Sequence, residues 1–328
     1  MKTAYRIMKI SDLNPLSMGF WSILLTIILS GLSSCTQSTP ENSVNGDQPK
    51  VVSTSTIIAD LTEQIGGDEI DHQGILQPGA DPHVYEPVPQ DSIALEKADL
   101  ILYNGYNLEP GLIKLMKAAS TSGKKVAVGE VIKFLDFQYK GQTQPDPHVW
   151  GTAKNAILMV NKIRDELIAL SPEDAVIFNK NATQLTQELT QLDRWIQQQI
   201  ATIPPQNRKL VTTHDAFQYY AHAYGLEVIG TLIGISTEEQ PSAKTVKNLS
   251  DSIQKTGVPA IFAETTINPK LITTVAEESG VKLAPEQLYS DSIGSPGSEG
   301  DTYVKMLVKN TKTIVEALGG KYTPFNPN

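Results

Sequence analysis

The chain has 328 residues, enough for two domains at ~150 residues each. Charged residues make up 19% and the formal net charge is −9, an acidic balance that argues against nucleic-acid binding. A single cysteine excludes an intrachain disulfide and a cysteine-based zinc ribbon, and only five histidines are present: His72, His83, His148, His214 and His222.

Lys2, Arg6 and Lys9 give a basic start, and an apolar run follows over residues 16–32. A positive start, a short apolar run and small residues before a cut describe a secretory signal peptide over residues 1–34. A membrane-spanning anchor fits less well, because the run is near the minimum length for a bilayer and is broken by Ser22, Thr26 and Ser30. Cys35 closes the run in Leu32-Ser33-Ser34-Cys35, which resembles a bacterial lipobox and implies cleavage before Cys35 with lipid on its sulfur. Each buried acyl methylene adds ~0.8 kcal/mol of membrane affinity, so two or three chains would hold the protein firmly. Residues 35–50 then read as a flexible, lipid-anchored tether, rich in Ser, Thr, Asn, Gln, Pro and Gly. Residues 1–34 carry three basic side chains and one acidic one, so their removal leaves 24 basic against 35 acidic, a net of −11. That balance suits a cation ligand and equally suits plain solubility.

The rest reads as α/β. Residues 51–58 form a β-rich opening, followed by a helix ending at Gly66-Gly67. Short apolar runs at 99–103 and 125–128 are strand-like, with a helix over 108–119 between them. The pattern restarts at 209–213, 226–229 and 259–263. Strands alternating with helices predict βαβ units and mainly parallel sheets, hence two Rossmann-like lobes, 51–171 and 204–328. Between them, 172–203 contains no glycine and no internal proline. Phe178, Ala182, Leu185, Leu189, Leu192 and Ile196 recur at spacings of four and three, one face of a long helix. Ser171 and Pro172 suit its N-cap and first position, and Pro204-Pro205 stops it. Its place between two βα series predicts a rigid linking helix rather than a helix packed on one lobe.

Two histidines share one tetrapeptide. Asp81-Pro82-His83-Val84 and Asp146-Pro147-His148-Val149 lie in loops, where the proline presents each imidazole from a stiff turn. The repetition within one lobe points to metal ligation. His214 ends the strand-like run from Lys209, at the carboxyl end where open α/β sheets bind ligands. His222 reads as helix surface and His72 as an exposed strand edge. A zinc-like site needs a fourth ligand, for which the residues alone leave Asp291, Asp215 and Glu264 open.

From about residue 51 to 318 the chain resembles the cluster A-I, TroA-like substrate-binding lipoproteins of zinc and manganese ABC importers. The segments carrying the resemblance are Gly79-Ala80-Asp81-Pro82-His83-Val84-Tyr85-Glu86-Pro87, residues 98–105, Asp146-Pro147-His148-Val149-Trp150, His214-Asp215-Ala216-Phe217 and Tyr289-Ser290-Asp291-Ser292. It implies two α/β lobes joined by one rigid backbone helix, with the metal ion between them and little closure. It implies His83, His148, His214 and Asp291 as ligands, and Glu264 as a residue orienting a ligating imidazole. It also implies an extracytoplasmic location, periplasmic or cell-surface. The expected partners are a separate permease and ATPase, and the protein is expected to act as a monomer.

Three imidazoles and one carboxylate lean toward Zn²⁺ over Mn²⁺, and many manganese-specific members carry Glu where His214 stands. Zinc-dedicated members often carry a long His- and acid-rich loop, which 137–145 lacks. Two other readings remain. A zinc hydrolase would need an open coordination position and a general base, and H-E-x-x-H is absent. A surface adhesin could coexist with metal binding. Metal affinity is expected to fall below about pH 6 as the imidazoles protonate.

Overall fold

A computed structural model describes residues 48–118, 121–139 and 142–327. The signal peptide, Cys35 and most of the tether lie outside them. Strand β1 (Lys50–Ser53) is followed by α1 (Thr56–Gly66), β2 (Asp71–Gly74), α2 (Pro89–Lys97), β3 (Leu100–Tyr103), α3 (Pro110–Ala118) and β4 (Lys124–Ala127). The four strands pair in parallel in the order β2-β1-β3-β4, as βαβ units require. A hairpin, β5 (Asp136–Tyr139) and β6 (Gln142–Pro145), and helix α4 (Ala153–Leu170) complete the first lobe.

Helix α5 (Ala175–Ala201) leads to the second lobe: β7 (Lys209–Thr212), α6 (Gln218–Tyr224), β8 (Glu227–Thr231), α7 (Ala243–Thr256), β9 (Ala260–Ile261), α8 (Lys270–Ser279), β10 (Lys282–Leu283) and α9 (Tyr303–Ala317). Here β7 pairs with β8 and β9 with β10, both in parallel, and Phe262 N–H donates to Val211 O to join the pairs. Each lobe keeps a core of its own. One centres on Ile101, Leu95 and Leu112, the other on Ile261, Ile272 and Val275.

A third core runs beneath α5. All six periodic residues of that helix are buried, joined by Trp195 and Ile200. They pack on α1 and α4 of the first lobe and on α9 and α6 of the second, so the helix joins the lobes rather than decorating one. Two local expectations change. The opening strand stops at Ser53, because the Ser55 hydroxyl accepts the Ile58 N–H and starts a helix whose first turn buries Ile57 and Ile58. Their β-branched shape favours a strand, and burial on the helix face overrides it. Residues 172–174 form a 3₁₀ turn, and the Ser171 hydroxyl donates to Asp174 Oδ2 at 2.6 Å instead of capping backbone N–H groups. Among the described residues no helix is long and apolar enough to cross a membrane.

Candidate metal centre

The two Asp-Pro-His turns have one geometry. Asp81 Oδ1 accepts the His83 N–H at 2.9 Å, and Asp146 Oδ1 accepts the His148 N–H at 2.9 Å. The aspartate closes the loop on itself while the intervening proline fixes its own φ. Asp146 Oδ1 also lies 2.8 Å from His148 Nδ1, which leaves Nε2 to point away from the turn. His214 follows β7 by two residues. Glu264 takes both its backbone N–H (2.8 Å) and its ring Nδ1 (2.5 Å). Asp291 sits in the segment between β10 and α9, beside Ser290, whose carbonyl accepts the Trp150 indole N–H from the first lobe at 3.0 Å.

These elements bring His83, His148, His214 and Asp291 together, all buried, with one donor atom from each within 4.8 Å of every other. His83 Nε2 is 3.2 Å from His148 Nε2, and His214 Nε2 is 3.1 Å from Asp291 Oδ2. His148 Nε2 is 3.5 Å from Asp291 Oδ1, and His83 Nε2 is 3.8 Å from Asp291 Oδ2. A tetrahedral zinc site with bonds of ~2.0–2.1 Å spaces neighbouring donor atoms by about 3.3 Å, so the cage has the size of one such ion. His214 Nε2 and both Asp291 oxygens are buried with no properly oriented hydrogen-bond partner. Buried polar atoms left this way are costly, and a cation would satisfy all three.

The electrostatics divide the cage. Burial pushes the His83 imidazole down to about 3, so it is neutral at physiological pH. Burial also opposes charge on His214, but the Glu264 and Asp291 carboxylates outweigh it and raise that imidazole well above its ordinary value. Burial would raise Asp291, yet the neighbouring His214, then His148 and His83, hold it below the usual carboxylate range.

The other candidates stand apart. Asp215 is buried, but its Oδ1 accepts from Gln218 Nε2 at 2.8 Å and it does not join the cluster. His222 is exposed on α6. His72 lies on the edge strand β2 but is half-buried rather than exposed, with Nε2 2.9 Å from Ser53 Oγ. The orienting role of Asp146 went unread in the sequence. The signal was there, an aspartate two residues before each paired histidine.

Two parallel-sheet lobes on one long helix thus enclose three buried imidazoles and one carboxylate, a donor set suited to a transition-metal ion. Residues 51–317 match the family model described as zinc-uptake complex component A, periplasmic, and the chain belongs to that ZnuA family. It is 33% identical over 302 residues to the manganese ABC transporter substrate-binding lipoprotein PsaA of Streptococcus pneumoniae, spanning 90% of this chain and 96% of that one. Among solved structures it is similar to the periplasmic zinc binding protein TroA from Treponema pallidum, with a TM-score of 0.79 and 34% identity over 83% of this chain and 99% of that one. It is also similar to the Mn-bound periplasmic metal binding protein from Candidatus Liberibacter asiaticus, with a TM-score of 0.73 and 27% identity over 82% and 99%.

Proposed function

We propose that the protein captures Zn²⁺ between its lobes through His83, His148, His214 and Asp291, and delivers it to a separate permease and ATPase. The convergence of four buried donor atoms at zinc-like spacing carries this reading. Glu264 orients His214 and Asp146 orients His148, each fixing which ring nitrogen faces the ion. Four protein donors fill a tetrahedral shell and leave no open position for a reacting water, so the site carries an ion rather than catalysing a reaction. Outside the inner membrane, a lipid on Cys35 would keep the protein near its permease, with residues 35–50 as the tether and 172–203 as the link between lobes 51–171 and 204–328. It acts as a monomer.

Manganese is the second reading, favoured by the names of the S. pneumoniae relative and of the Mn-bound structure. The imidazole of His214 argues for zinc, since carboxylate oxygen suits Mn²⁺ better. The test is the metal content of protein recovered from its native compartment, paired with Zn²⁺ and Mn²⁺ competition titrations. Zinc in the recovered protein is expected. Manganese there would select the second reading, and protein that binds neither ion in titration would end both.

A further inference from the structure

A cleft of about 620 Å³ opens onto the cluster with walls from both lobes, Tyr103, Tyr106 and Pro147 on one side and Ile235, Ser236 and Glu238 on the other. His83 is the one member of the cluster that borders it. Tyr106 and Asn107 hold φ of 50° and 59°, and the Tyr106 hydroxyl donates to Ile132 O at 2.8 Å. The facing wall is the loop 232–242 between β8 and α7, which contains no helix or strand.

Asp81 lies two residues before His83 in the first lobe. Its Oδ1 closes the His83 turn, and its Oδ2 accepts the Thr237 hydroxyl from the second lobe at 2.6 Å. This pair borders a hollow of about 330 Å³ together with Ile233. The bond bridges the lobes, and the neighbours of Thr237 in the loop, Ser236 and Glu238, border the cleft. Contacts near Asp291 differ in kind. There Gly79 N–H donates to Ser292 Oγ (2.8 Å), and Ser292 Oγ lies 3.1 Å from Thr56 Oγ1 in buried surroundings. Ser292 is fully buried, whereas Asp81 and Thr237 are only half-buried and border a hollow.

We propose that the Thr237–Asp81 hydrogen bond is a latch that holds the 232–242 loop over His83 and sets the rate at which an ion enters and leaves the cluster. The latch rests on the ion-binding reading above. Because it must open for passage in either direction, losing it speeds both uptake and release and leaves their ratio near its original value. A hydrogen bond to a carboxylate contributes on the order of tenfold in such a rate.

Thr237→Val keeps the branched shape, removes the hydroxyl and leaves the Asp81–His83 turn intact, whereas Thr237→Ser keeps the donor. Zinc-loaded full-length protein is mixed with excess chelator in stopped flow, zinc uptake is timed separately, and the equilibrium affinity is titrated. Thr237→Val is expected to release and bind Zn²⁺ about tenfold faster with an affinity within threefold of the parent, and Thr237→Ser to behave as the parent. Unchanged rates in Thr237→Val overturn the latch. So does weaker affinity with unchanged uptake, or a Thr237→Ser variant as fast as Thr237→Val. A parent protein that takes up no zinc refutes the ion-binding reading instead, and the latch falls with it.

Discussion

His214 decides how the cage responds to pH. The Glu264 and Asp291 carboxylates favour the protonated ring in the metal-free protein, while buried His83 is already neutral and Asp291 already ionised. A metal can bind only the deprotonated ring, so binding should expel about one proton and affinity should rise roughly tenfold per pH unit through neutrality. The decline on acidification therefore begins at a higher pH than unperturbed imidazoles would give. Zinc calorimetry in two buffers of different ionisation enthalpy measures the released proton, and a buffer-independent heat would contradict the assignment. Glu264→Gln weakens the clamp on the His214 ring without emptying the cage, and zinc affinity should drop by roughly 10- to 100-fold with the fold retained. An unchanged competition titration would show that Glu264 does not orient the ligand. The histidines were legible because two share a loop motif and one ends a strand. The role of Asp146 was not, because it depends on which ring nitrogen turns back toward the loop, and linear spacing does not encode that.

Helix α5 was legible at the next scale because a buried stripe leaves a periodic trace in the sequence. Its start was not, since Ser171 can cap a helix or bond a side chain and the choice depends on Asp174. The Ser53–Ser55 break was hidden in the same way, by β-branched residues that suit a strand until tertiary burial recruits them to a helix. Leu189 lies fully buried at the middle of α5. Leu189→Ala should cost about 2–5 kcal/mol of stability, read as a lower denaturant midpoint, while zinc affinity changes little because no donor atom moves. A normal midpoint would contradict the view that the helix is the shared core of both lobes.

For the whole molecule, the sequence pattern conveys two α/β lobes but not how they meet. Thr237 and Asp81 are 156 residues apart, and Trp150 reaches Ser290 across 140. Neither contact carries a local signature, because each forms only once both lobes have folded. The cage is likewise a product of the whole chain. Two turns of the first lobe and two segments of the second each contribute one donor, and none could hold a small cation alone. Zinc-edge anomalous diffraction from crystals of the zinc-loaded protein tests this most directly. A single strong peak is expected within ~2.0–2.2 Å of Nε2 of His83, His148 and His214 and of an Asp291 carboxylate oxygen. A peak elsewhere, or none at this cluster, would contradict it.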